Sequence, residues 1–262
     1  MKTLKMRWTE YPNWIFKRGG NMQKDIQTPI EIEEGDNFKT VFSKYGCLAF
    51  DRQENLAELI GDLEGELDLD TGVLKFNDEI EFPVQFLGFY KEFEEENVTD
   101  GEPVGQWSWC WDNEDIGFEE ELIQDAMKIK EIGDKFSIKE FNTPVFQTTF
   151  NNCHIWAMAA CGVLDADAYY GARADNIDVF VAIKSDLIPR NDSAEKFRTT
   201  FATFQKNFNV FPRLAFEGYT KLKGYFFKGR EEFSVAKIGE DRVIAGFTDR
   251  GNLTHIQLLT VD

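Results

Sequence analysis

The chain has 262 residues, enough to bury a substantial core as one large domain or two modest ones. Its 42% hydrophobic content, with 25 Phe, excludes a disordered polymer, and no apolar run approaches the roughly 20 residues that span a bilayer. Forty-seven acidic against 29 basic residues give a net charge of −18, which disfavours nucleic acid and anionic membrane surfaces and favours a basic protein partner.

The four cysteines, Cys47, Cys110, Cys153 and Cys161, form no C-x-x-C pair and no zinc-binding rhythm, so buried free thiols are expected. The opening Met1-Lys2-Thr3-Leu4-Lys5 has no apolar stretch behind it of the kind a secretory signal needs. Both features point to a cytoplasmic protein.

In chain order, residues 1–35 are mixed. Trp8, Tyr11, Trp14 and Phe16 need packing partners, and Lys17-Arg18-Gly19-Gly20 reads as a turn. A helix follows, with Asp36 as N-cap, a stripe of Phe38, Phe42, Tyr45, Ala49, Leu56 and Leu59, and Gly61 as its end. Residues 66–69 and 73–76 alternate in character around the turn Asp70-Thr71-Gly72, which predicts a hairpin. Glu81 to Phe93 is rich in strand formers, with Gly88 a bulge or a point of close approach. Beyond an acidic loop over 92–105, the run Trp107-Ser108-Trp109-Cys110-Trp111 places three rings at i, i+2 and i+4, on one face if the strand covers 106–111.

Helices are predicted over 118–132, ending at Gly133, and over 145–162, whose tail Ala157-Met158-Ala159-Ala160-Cys161-Gly162 suits close packing. Strands at 169–173 and 178–184 come next. Residues 187–192 (Leu-Ile-Pro-Arg-Asn-Asp) mark a boundary, dividing an N-terminal α+β domain (1–188) from a C-terminal unit (193–262). In the latter, Ser193 caps a helix carrying Phe197, Phe201, Phe204 and Phe208, and strands are predicted at 214–219, 223–227, 233–238, 243–247 and 254–261. The expected architecture is an antiparallel sheet with helices mainly on one face, plus a smaller helix–meander unit whose Phe stripe lies across its own sheet. A helix followed by a meander occurs twice, without residue-level repetition.

Four short motifs carry a resemblance: Leu87-Gly88-Phe89-Tyr90, Ser108-Trp109-Cys110-Trp111-Asp112-Asn113, Lys130-Glu131-Ile132-Gly133 and Ala168-Tyr169-Tyr170. Taken in order over about 45–184, they make the chain resemble a mostly bacterial family known only as a domain of unknown function. Cys110 and Asp112 depart from the small residues more usual there. The resemblance implies a fold neighbourhood and no activity. Some relatives occur in toxin–immunity settings, which implies an inhibitor role for an acidic chain.

Conventional catalytic parts are missing from the sequence. Asp70-Thr71-Gly72 matches the aspartic-protease triplet, but proton sharing needs two such carboxylates and the chain has one, in a turn. Asp68 and Asp70 alternate on a strand's solvent face, the common reading, ahead of a cation site. Only His154 and His255 exist, and Cys153 and His154 point about 100° apart on a helix, so they are no nucleophile–base pair. No G-x-S-x-G, P-loop or G-x-G-x-x-G occurs. No catalytic residue, metal ligand or cofactor is therefore assigned. The candidate binding residues are Trp107, Trp109 and Trp111, with Tyr169, Tyr170 and Arg173 as a rim; the same rings equally suit a wall under helices. The leading function is a non-enzymatic interaction protein, an acidic immunity-type inhibitor of a basic partner. The alternative is a small-ligand binder, or an enzyme with a carboxylate-lined sheet–helix cleft.

Overall fold

The computed structural model describes residues 27–93, 104–112, 117–174 and 177–261. Trp8, Tyr11, Trp14, Phe16, the 17–20 turn, Asn113 and most of the acidic loop lie outside them.

Helix α1 (Phe38–Ile60) begins one residue later than the charge pattern suggests. Asn37 is the N-cap, accepting from the Thr40 amide at 3.0 Å. Asp36 instead accepts from the Glu33 amide and from Lys44 Nζ at 2.7 Å. Gly61, at φ 55°, ends the helix as expected.

Seven antiparallel strands follow around and after it: β1 (Glu66–Asp68), β2 (Val73–Lys75), β3 (Glu81–Glu92), β4 (Val104–Trp109), β5 (Val145–Thr149), β6 (Ala168–Ala174) and β7 (Ile177–Ile183). The long β3 is the spine. Its start pairs with β2 (Leu74 opposite Phe82), its end pairs with β4 (Tyr90 opposite Trp107), and its other edge takes β7 from Val84 to Tyr90. The β3–β7 register shifts between Phe86 and Gly88, a bulge at the place the sequence marks. A Cβ on Gly88 would sit 2.4 Å from the Trp107 ring, so the glycine also lets that indole lie flat on the sheet.

Helices α2 (Gln124–Phe136), α3 (Lys139–Asn142) and α4 (Phe150–Val163) differ from expectation at their edges. Residues 120–122 make only a 3₁₀ turn, and α2 runs past Gly133 to a left-handed Ser137. Gly133 is no terminator; its missing Cβ admits the Phe141 backbone at 2.8 Å. The first five residues of the predicted 145–162 helix are β5, where β-branched Val145, Thr148 and Thr149 pair with β4.

The C-terminal part contains α5 (Ala194–Asn207), capped by Ser193, then α6 (Pro212–Leu222). A meander of β8 (Phe226–Gly229), β9 (Phe233–Ile238), β10 (Asp241–Phe247) and β11 (Leu253–Leu259) completes it. The strand predicted at 214–219 is helix α6. Pro212 sits in its first turn, and Ala215, Phe216 and Tyr219 are buried at helical spacing.

One continuous core joins the two parts. Trp107, Trp109 and Phe180 from the first sheet, Phe42 and Leu48 from α1, the small residues of α4, the stripe Phe197, Phe201 and Phe204, and Val243 and Phe247 of the meander all belong to it. The stripe therefore packs on α1 and α6 as well as beside its own sheet, and the C-terminal unit shares its core with α1. Phe42 and Phe204 lie 5.5 Å apart, Phe197 and Tyr219 4.3 Å. A second cluster, including Leu74, Phe82, Val84, Phe86, Val179 and Val181, lies on the opposite face of the first sheet. Helix α1 approaches two neighbours at glycines. A Cβ on Gly162 of α4 would meet Tyr45 O at 2.7 Å, and one on Gly218 of α6 would meet Lys44 O at 2.2 Å.

Candidate functional site

The tryptophan strand is core. Trp107 and Trp109 are both 0% exposed, at 5.1 Å between ring centroids and edge to face. Trp109 Nε1 donates to Glu140 O at 2.8 Å, and its ring packs against Phe141. Trp111 falls beyond the end of β4, half-buried, with Lys130 Nζ 5.0 Å over its ring. No ring face of Trp107 or Trp109 is left for a ligand to stack on.

The expected rim is also divided. Strand alternation sends Tyr169 and Arg173 to the α4 face and Tyr170 to the other. Tyr169 is buried, its hydroxyl 3.2 Å from His154 Nδ1. Tyr170 sits edge-on to Phe76 and accepts from the Gly65 amide. Arg173 is exposed and pairs with Asp178 at 3.1 Å. Trp107, Trp109 and Tyr169 thus belong to the core, whereas Trp111, Tyr170 and Arg173 lie in separate environments.

The cysteine thiols and His154 are packed into the interior, while His255 is half-exposed on β11 beside Thr254. All four cysteines are buried free thiols. Burial pushes Cys110 and Cys161 well up and Cys153 up to about 12, keeping them protonated at neutral pH. His154 lies between Phe150 and Phe180, and burial holds its imidazole below its ordinary range, so it is neutral. Among the described residues no three His, Cys, Asp or Glu side chains gather as a metal site. Asp68 Oδ1 accepts from the Asp70 and Thr71 amides, and Gly72 has φ 64°, so Asp70-Thr71-Gly72 is the hairpin turn. Hydrogen bonds from Thr71, then Asp70, hold the Asp68 carboxyl below its usual range and keep it charged.

Charge is where the surface is distinctive. The β1–β2 hairpin turns Leu67, Leu74 and Phe82 inward and places Glu66, Lys75 and Glu81 in one outward row, with Asp68 beside it. Between residues 58 and 81 every acid is exposed: Glu58, Asp62, Glu64 and Asp70, then Asp78 and Glu79 with the hairpin acids, against Lys75 alone. The alternation of Glu66 and Asp68 is readable in sequence; Glu81 joins them only through strand register. Two clefts flank the start of α1. One, about 790 Å³, mixes carboxylates with Lys135 and Lys139 between residues 34–37 and the α2–α3 corner. The other, about 620 Å³, lies between Lys39, the start of α6 and the β10–β11 turn. The basic stretch from Lys221 to Arg230 is largely consumed: Lys221 pairs with Glu217, and Lys223 is buried against Asp51 and Asp192.

No helix among the described residues is long and apolar enough to cross a membrane. No curated protein matches the chain, and no solved structure does. The model of a family of unknown function, DUF6882, matches residues 39–186, from the first turn of α1 to just past β7, and the chain belongs to that family.

Proposed function

We propose that the protein is a non-enzymatic interaction protein, an acidic inhibitor of the immunity type, whose outer hairpin face receives a basic protein partner. The observation that carries this reading is the strongly acidic surface over residues 58–81, where Lys75 is the one base, set on a net charge of −18. Fixed strands hold Glu66, Asp68 and Glu81 in place, so their field is presented without the entropy cost of ordering a loop. Such a field raises association rates with a cationic partner and repels polyanions. Among the described residues strand β1 pairs only with β2, and its other edge lies beside the acids, where main-chain contact with a partner is possible.

The test is affinity capture from cells expressing the full chain, wild type beside the triple variant Glu66→Lys, Asp68→Lys, Glu81→Lys. Capture of strongly basic proteins by the wild type, released by moderate salt and lost in the triple variant, is the expected result. Retention of the same proteins by both forms, or capture of acidic proteins only, rejects it.

A further inference from the structure

The 620 Å³ cleft at the start of α6 is bordered mainly by cations in a chain whose net charge is −18. Three segments far apart in sequence each contribute a cation: Lys39 from the first turn of α1, Arg213 from the first turn of α6, and Arg250 from the β10–β11 turn. Among the described residues none of the three has a carboxylate within ion-pair distance. Lys39 Nζ is held by Asn209 Oδ1 at 2.7 Å and lies 4.6 Å over the Phe211 ring. Arg213 donates to the carbonyls of Arg230, at 2.6 Å, and Glu231, and stacks over Phe247 at 4.8 Å, so its charge is positioned without being neutralised. Arg250 is exposed. The one acid in the lining, Glu217, is engaged by Lys221 at 2.6 Å. Beside these charges Phe211 is 45% exposed, an aromatic wall at the mouth of the cleft.

Three cations that border one cleft suit a dianion better than a monoanion. The volume is in the range of small-molecule sites. We infer that this cleft binds a small phosphate monoester carrying a planar ring, the class to which nucleoside monophosphates belong, with phosphate on Lys39, Arg213 and Arg250 and the ring against Phe211. Arg213 and Arg250 lie outside residues 39–186, so two of the three cations come from beyond the family-matched region, which contributes Lys39. The site is independent of the acidic hairpin and stands or falls separately from the partner reading.

Isothermal titration of the full chain with adenosine monophosphate, inorganic phosphate and adenosine at low ionic strength tests it. Adenosine monophosphate should bind saturably and more tightly than phosphate, and adenosine should give no heat. Arg250→Glu, at an exposed turn, should weaken the nucleotide by about tenfold or more, the size of one lost charge-assisted contact. Lys139→Glu, an equal charge change in the other cleft, should leave affinity within about twofold. Absence of saturable binding, equal losses in the two variants, or adenosine binding as tightly as its monophosphate would each overturn the assignment.

Discussion

Helix α1 makes two joints, and only one of them carries buried charge. Toward α4 and the first sheet the contact is apolar and close: Cys47, Leu48 and Ala49 are buried, Gly162 lies under the Tyr45 carbonyl, and Trp107 and Trp109 belong to the same core. Toward α5 and α6 the contact is also apolar, with Phe42 5.5 Å from Phe204, but it carries in addition a buried ionic network. Asp51, 1% exposed, takes Lys223 at 2.8 Å and faces Lys196 at 3.9 Å; Lys223 also holds Asp192 at 2.5 Å, and Thr200 donates to Glu54 at 2.6 Å. The apolar joint depends on volume, so any loss of shape there costs free energy. The ionic joint depends on pairing: a lone survivor is costly, whereas an apolar replacement of the whole pair need not be.

Removing one key side chain from either joint should produce the largest effects. Trp109→Ala empties an aromatic site and orphans the Glu140 carbonyl, and should lower unfolding free energy by about 3–5 kcal/mol. Asp51→Ala leaves the buried Lys223 with only the exposed Asp192 as partner and should cost somewhat less, about 1.5–3 kcal/mol. Urea denaturation measures both. The joints then separate on rescue: Asp51→Leu with Lys223→Met should recover most of the loss, because no buried ammonium then remains short of its buried partner. A double variant as unstable as Asp51→Ala would show that the ionic joint behaves like the apolar one.

Intermediate effects come from the glycines. Gly218→Ala drives a methyl to 2.2 Å from the Lys44 carbonyl, backbone on backbone, and should cost about 1–3 kcal/mol as α6 shifts off α1. Gly61→Ala, with nothing within 4 Å but φ 55°, isolates backbone strain from crowding and should cost less, roughly 1 kcal/mol. Equal losses at the two glycines would argue against crowding at the α1–α6 contact.

The smallest effect concerns pH. Burial lowers the His154 pKa in the folded chain below its unfolded value near 6.5, so the unfolded state binds the extra proton first. The stability this neutral imidazole carries is complete above that value and is lost as pH falls below it. His154→Phe should therefore flatten the decline in melting temperature between about pH 6.5 and 5. An unchanged slope in the variant would mean that other groups set it.

Some of this was legible residue by residue. Gly88 interrupts a run of strand formers and is a bulge; Ser193 ahead of the Phe stripe is a cap; the small-residue tail of α4 does pack closely. Helix α6 is not legible as one because Leu214 and Phe216 fit a period of two over so short a window, and Pro212 at the first turn is the signal that decides otherwise. The start of the 145–162 segment was misread for the converse reason, since β5 is specified by pairing with β4 and not by its own five residues. The tryptophan triplet identified a strand but not its use: the same rings serve as wall or platform, and only the helices above them decide. The basic cleft left no local trace, because Lys39 meets Asn209 across 170 positions. Asp51 and Lys223, 172 apart, were equally invisible.

The four cysteines turn burial into a clock. Their sulfurs are sealed into different parts of the molecule: Cys47 in the central helix, Cys110 in the second cluster, Cys153 and Cys161 at either end of α4. A thiol that is both enclosed and protonated reacts with a disulfide reagent only after the chain around it opens. Rates of modification, resolved cysteine by cysteine, therefore read out the opening of each region in the native protein, without an introduced label. If the two joints of α1 part independently, Cys47 will react in step with whichever parts first, and Cys153 and Cys161 will differ from it by the stability of the other.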